Sequence, residues 1–214
     1  MSSFLGNSVS KKFVMAIAGL FLILFLLVHL GINLFLLSED PAPFNKAAHF
    51  MASSPIIKIF EIVLMTGFII HILWGVVLQI QNWLARPIRY KKTATTQTSF
   101  FSKYMIYLGG IIFIFLIIHF VNFYFVKLGL VQGDPENFYG MAHDLFRFPG
   151  YIAFYLFSFL ILSFHLNHGF QSAFQTFGLN HDRYTPIIKG IGLIYSIVVP
   201  LGFSIIPIVI YFFK

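Results

Sequence analysis

Cysteine is absent from the chain. Disulfides, thiolate-bound iron–sulfur clusters and thioether-linked cofactors are therefore excluded from it, and cysteine usage carries no information about redox compartment. Charge is scarce as well. Only 10% of residues are charged, whereas a soluble domain carries about a quarter. The glycines form no dinucleotide-type motif, and there is neither an internal repeat nor a low-complexity tract. A soluble nucleotide-dependent enzyme is not what this composition describes.

What fills the space is apolar. The 214 residues are 58% hydrophobic, and 29 of them are phenylalanine. Five long apolar segments run over about 13–37, 56–84, 104–126, 148–177 and 187–213. Each is long enough to cross a hydrocarbon core about 30 Å thick at about 1.5 Å per residue. In lipid the backbone must satisfy its own hydrogen bonds, which leaves helices or barrel strands, and barrel strands run only about ten residues. The expectation is a single all-α integral membrane domain over 1–214, a bundle of five transmembrane helices. The first segment follows Lys11 and Lys12 as a secretion signal would, but it is too long and no small-x-small cleavage site follows it, so it reads as a retained helix. Turn chemistry separates the segments at Ser38-Glu39-Asp40-Pro41, Arg86-Pro87, Gly133-Asp134-Pro135 and His181-Asp182-Arg183 before Pro186.

The charges sort by side. One set of connections holds nine bases, Lys11, Lys12, Arg86, Arg89, Lys91, Lys92, Lys103, Arg183 and Lys189, against Asp182 alone. The other holds the remaining five bases with six acids. Lysine and arginine favour the cytoplasmic side, so the N-terminus is expected inside and the C-terminus outside. The net charge of +7 is then a topology signal rather than a nucleic-acid surface.

Ionisable groups inside a bilayer are costly and call for a reason. His29, His71, His119 and the pair His165 and His168 fall within the first four segments, and the fifth has none. Any one of them alone reads as interhelical hydrogen bonding. Four helices each supplying one suggest bis-histidine haem ligation, which needs pairs on facing helices. Counted from the outer ends, His29 and His119 lie eight residues in, or about 12 Å, and His71 and His165 lie fifteen and seventeen in, or about 22–26 Å. Two levels of two are what two haems stacked across a membrane require. A haem held by two imidazoles moves electrons and leaves no position for a gas. Zinc or copper would gather its ligands at one depth, and no carboxylate or thiolate shares either level.

Asn33 and Asn122, four and three residues after His29 and His119, are placed either to orient an imidazole or to join helices. Gly19, Gly67, Gly75, Gly109 and Gly110 admit a flat macrocycle or close helix packing equally.

The stretches HLGINLF around His29, FNKAAHFMASSP in the first outer loop, IIHILWGV around His71, IIHFVN around His119 and FHLNHGFQSAFQTFGL in the fourth segment resemble, in that order, a known family. It is the cytochrome b membrane anchor of succinate dehydrogenase, in its single-polypeptide, five-helix, two-haem form, and the fumarate reductase anchor is similar. The likeness spans nearly the whole chain and is weakest after about Pro186.

The resemblance implies four axial ligands at His29, His71, His119 and His165. His29 and His119 would hold the outer haem b and His71 and His165 the inner one. The family's ligand stands four residues before a glycine, here Gly169, whereas spacing alone permits His168 as readily as His165. It also implies flavoprotein and iron–sulfur subunits on the cytoplasmic side, a membrane quinone (menaquinone being the expected one) as substrate, and a bacterial-type cytoplasmic membrane. The chain would then be the non-flavin subunit of a succinate:quinone oxidoreductase, with no dehydrogenase active site of its own.

Quinone chemistry couples electrons to protons. Glu61, an acid in the outer part of the second segment, is the candidate proton carrier, or else it pairs with Lys58 three residues earlier. His49 either contacts a haem propionate or the quinone, or caps a short interfacial helix. The alternatives to this function are the cytochrome b subunit of another quinone-linked dehydrogenase and a histidine-relay transporter.

Overall fold

The computed structural model describes residues 7–85 and 100–214. The expected bases Arg86, Arg89, Lys91 and Lys92, and the Arg86-Pro87 turn, lie outside those residues. Helix α1 covers Ser8–Asn33 and tightens into a 3-10 turn at Leu34–Leu37. It begins five residues before the apolar run, because the Asn7 side chain accepts from the Val9 N–H at 3.1 Å and caps the polar first turn. Helix α2 is Ala42–Ser53 and α3 is Pro55–Leu84. Helix α4, Phe100–His119, passes into a π turn at Phe120–Tyr124 and a last short piece, α5, at Phe125–Lys127. Helix α6 is Phe138–Phe146, α7 is Pro149–Thr176 and α8 is Thr185–Phe213.

Five of these spans are long and apolar enough to cross a membrane: Ser8–Leu37, Pro55–Leu84, Lys103–Lys127, Pro149–Thr176 and Thr185–Phe213. The chain is an all-α, multi-pass membrane protein. Large apolar side chains such as Leu24, Ile62, Ile69, Ile114, Leu160 and Val198 stand exposed along the spans, where lipid replaces the water that would make them costly. The third and fourth spans end alike. Gly129 and Gly178 take φ of +71° and +76°. The next N–H turns back to a carbonyl five residues earlier, Leu130 to Phe125 at 2.8 Å and Leu179 to Phe174 at 3.0 Å. This left-handed cap needs a residue without Cβ.

Packing places the spans in a ring. Helix α1 packs along α3 and α7, α7 packs along α4, and α3 and α4 touch only slightly. Neither α1 with α4 nor α3 with α7 forms a substantial contact, so those two pairs face each other across the diagonals. Helix α8 closes the α1–α7 side. Its buried Val199, Phe203, Ile206 and Ile210 recur every three or four residues and form one stripe against α7. Lipid offers no hydrophobic drive between helices, so close approach must supply the attraction. A Cβ at Gly192 would lie 2.8 Å from the Phe170 ring, and one at Gly202 would lie 2.8 Å from Leu30. The Tyr195 hydroxyl adds a 2.6 Å hydrogen bond to the Ile23 carbonyl of α1. The fifth span is therefore a bundle member.

The short helices α2 and α6 sit together over one end of the ring. Asn45 of α2 accepts from the Tyr139 N–H of α6 at 3.0 Å, and the Tyr139 hydroxyl donates to the Ser38 carbonyl at 2.7 Å. The Lys214 ammonium donates to the Leu37 and Ser38 carbonyls at 2.7 and 2.6 Å, so a cation meets the negative end of the first span. His143 stacks on Tyr139 with centroids 4.1 Å apart, and burial holds its pKa below the ordinary histidine value.

Candidate functional site

Four helices each bring one imidazole to the middle of the ring. His29 of α1 and His119 of α4 meet across one diagonal, with ring centroids 5.9 Å apart and planes at 86°. His71 of α3 and His165 of α7 meet across the other, at 6.1 Å and 75°. His168 lies three residues beyond His165, is half-buried and stacks on neither histidine pair among the described residues. The pairings expected from depth are the ones the bundle assembles.

The levels can be read from packing rather than from helix ends. Gly19 of α1 lies against His71, and a Cβ there would come within 3.3 Å of its Cε1 and 3.4 Å of its Nδ1. Gly109 of α4 lies against His165, 3.7 Å from its Cε1 by the same measure. Gly19 precedes His29 by ten residues, and Gly109 precedes His119 by ten. Both helices thus put a glycine about 15 Å from their own histidine, at the level of the other pair. Gly67 instead meets Phe21 of α1, a packing contact, and Gly75 and Gly110 face open space.

The two pairs differ in their surroundings. Near the α2/α6 end, Phe25 stacks on His29 at 5.2 Å and Phe115 on His119 at 5.6 Å, both at 20°. Each phenylalanine stands four residues before its histidine, in FLLVH and FLIIH. Phe203 of α8 adds a tilted contact to His29. The Asn33 amide nitrogen donates to the His29 carbonyl at 2.8 Å and lies 3.4 Å from Nδ1. The Nδ1 of His119 lies 3.3 Å from the hydroxyl of Tyr155. At the other level a glycine follows each histidine by four, Gly75 and Gly169, and the Nδ1 atoms of His71 and His165 are buried with no hydrogen-bond partner. The Met15 backbone also reaches the His71 ring. Lys11 is buried at the far end, its ammonium 5.5 Å from the Trp74 ring centre, three residues past His71.

These residues fit a metal held in a planar macrocycle. Imidazole nitrogen binds a metal at about 2.0–2.1 Å with the ring centre about 1 Å behind it, so two rings on opposite sides of one metal stand about 6 Å apart. Both pairs have that spacing. All four imidazoles lie partly buried between the helices that carry them. At the second level the rings lie directly against glycine backbone, and both Nδ1 atoms are buried without a partner. Among the described residues no three His, Cys, Asp or Glu side chains converge, so the donor set is two per site.

Glu61 is half-buried and forms an ion pair with Lys127 rather than with Lys58. The Tyr124 hydroxyl donates to it at 2.7 Å. The π turn between His119 and Lys127 is what the i+3 rule overlooked. It widens the helix by one residue, turns Tyr124 and Lys127 toward α3, and carries Asn122 to the Tyr155 hydroxyl. His49 is exposed in the body of α2, so it caps no helix.

Sequence reasoning passed over Tyr155 and the two stacked phenylalanines. The repeated F-L-x-x-H was the available signal for the latter. Tyr155 stands ten residues before His165, the same interval that separates each ring-flanking glycine from its histidine. Comparison of the chain with family models, curated proteins and solved structures finds no match.

Proposed function

We propose that the chain is the di-haem cytochrome b anchor of a succinate dehydrogenase or fumarate reductase, passing electrons between an iron–sulfur subunit and a membrane quinone. The observation that carries this reading is the pair of imidazole pairs, each on a bundle diagonal, at metal-sharing distance and about 15 Å apart in level. Two haem b groups would be held by His29 with His119 and by His71 with His165. A haem b held there would supply one-electron transfer, with one imidazole from each of two facing helices as its protein ligands.

The chain's own residues do the rest. Phe25 and Phe115 fix two rings and exclude water from them, and Gly19 and Gly109 keep the flanks of the other two clear. The membrane is of the bacterial cytoplasmic type, with the N-terminus and the flavoprotein and iron–sulfur partners on the inside and α2 and α6 outside. Menaquinone is the proposed quinone, and His49, exposed on α2, is the proposed contact for a haem propionate or the quinone head group.

A dithionite-reduced minus oxidised spectrum of the purified chain should show a b-type band at two haems per protein. Its absence would end the haem reading. Co-purification in mild detergent with a flavoprotein and an iron–sulfur protein supports the complex, and recovery with a different dehydrogenase transfers the chain to that class.

Glu61 is the proposed proton acceptor for quinol, its carboxylate held ready by Lys127 and Tyr124. Proton transfer by a placed group is worth about a hundredfold or more. Glu61→Gln should therefore lower quinone-coupled turnover by about that factor while both haems remain. Unchanged turnover removes Glu61 from the mechanism.

A further inference from the structure

Tyr155 is a buried tyrosine inside a membrane span, 3% exposed, packed edge-on by Phe115, Phe146 and Phe159. A hydroxyl in such surroundings must be hydrogen-bonded or it destabilises the fold. Its partner in strict geometry is Nδ1 of His119 at 3.3 Å. The Asn122 side chain also reaches the hydroxyl. Yet Asn122 Nδ2 is buried without a partner.

The donor count can be closed in only one way that leaves His119 able to bind a metal. If the tyrosine donates to Nδ1, the imidazole proton sits on Nε2 and blocks that nitrogen. If Nδ1–H donates to the tyrosine, the hydroxyl proton needs an acceptor of its own. A half-rotation of the Asn122 amide supplies one by exchanging Nδ2 for Oδ1 at the hydroxyl, and it also removes an orphaned donor from that contact.

We infer that Tyr155 is the positioning residue of His119: it accepts the Nδ1–H proton, donates its hydroxyl to Asn122 Oδ1, and so leaves the Nε2 lone pair facing His29. The assignment rests on the proposed haem ligation for its purpose, but not for its geometry. Among the described residues neither His71 nor His165 has a hydroxyl at its Nδ1, the Met15 backbone being what reaches the His71 ring. The hydrogen bond therefore acts on one pair alone. Donation from Nδ1 makes Nε2 a stronger donor to a metal and favours the oxidised ion.

Two measurements test this. Redox titration of the haem-loaded full chain should show that Tyr155→Phe keeps two haems, moves one midpoint to a more positive potential and leaves the other in place. The haem lost in His29→Ala identifies which midpoint belongs to this pair. Asn122→Leu should move the same midpoint in the same direction by less. Two unmoved midpoints, or a shift confined to the other haem, overturn the assignment. The second measurement needs no haem. In the full chain purified haem-free, 15N shifts of the His119 ring should report protonation at Nδ1, lost in Tyr155→Phe. Protonation at Nε2 in the unsubstituted chain overturns the assignment. A wild-type chain that takes up no haem but carries the Nδ1 proton refutes the proposed function and leaves this hydrogen bond standing.

Discussion

Replacing His165 by alanine is expected to remove one of the two proposed haems, and replacing His168 by alanine is expected to remove neither. The two residues share a helix and lie three positions apart, so composition and depth treat them alike. Geometry does not. The His165 ring stands 6.1 Å from His71 and flanks Gly109, whereas His168 stacks on neither pair. A three-residue step rotates a side chain by about 300° and carries it off the diagonal. Loss of His165 leaves His71 without its facing ring and withdraws one of the two proposed donors at that level. Haem-to-protein ratio, measured by pyridine haemochrome against amino-acid analysis, should fall from two to one for His165→Ala and stay at two for His168→Ala. The reverse pattern would place the ligand at 168. Loss of both haems in His165→Ala would mean that the levels do not fill independently, contrary to their separation of about 15 Å.

Position 165 marks the limit of what depth could decide, whereas the spans themselves were plain in the sequence. Hydropathy located the five spans within a few residues, because lipid forces every backbone group into a helix and rewards length. The diagonal pairing was legible too, since depth along a helix is a count of residues. His29 and His119 share a count, as do His71 and His165. Anything set by rotation about the helix axis was not legible. The π turn after His119 adds one residue to a turn, and Asn122, expected either to orient an imidazole or to join helices, reaches the Tyr155 hydroxyl beside His119. The same rotation gives Glu61 its partner Lys127, sixty-six residues away, in place of the local Lys58. Helix α6 was hidden for another reason, and α2 was anticipated only as a short interfacial helix near His49. They are too short to span and are held by contacts such as Asn45 to Tyr139 that link distant loops. The short apolar runs in those loops say nothing of which loop meets which.

Filling the flank of His71 is expected to act as strongly as deleting a proposed ligand, without substituting one. A Cβ on Gly19 would lie 3.3 Å from His71 Cε1 and 3.4 Å from Nδ1, already tighter than ordinary contact. Leucine adds three more carbons on the same side. The α1–α3 interface cannot open to receive them cheaply, because Gly67 of α3 already packs on Phe21 at the same interface. Overpacking of this kind typically costs about 1–3 kcal/mol when it is absorbed by rotamer and backbone shifts. Here the soft direction is the His71 ring itself, which would turn away from His165. Gly19→Leu should therefore lower the haem ratio from two to one, with the surviving haem showing the midpoint of the His29–His119 pair. Gly31→Ala is the control, since a Cβ there meets nothing within 4 Å. It removes a glycine from the interior of α1, a change worth about 0.5–1 kcal/mol in favour of the helix, and both haems should remain. Retention of two haems with unmoved midpoints in Gly19→Leu would show that the flank of His71 is not the space a macrocycle uses. Loss of both in Gly31→Ala would show that α1 tolerates no change at all, and the contrast between the two glycines is what separates a cofactor cradle from a merely crowded helix.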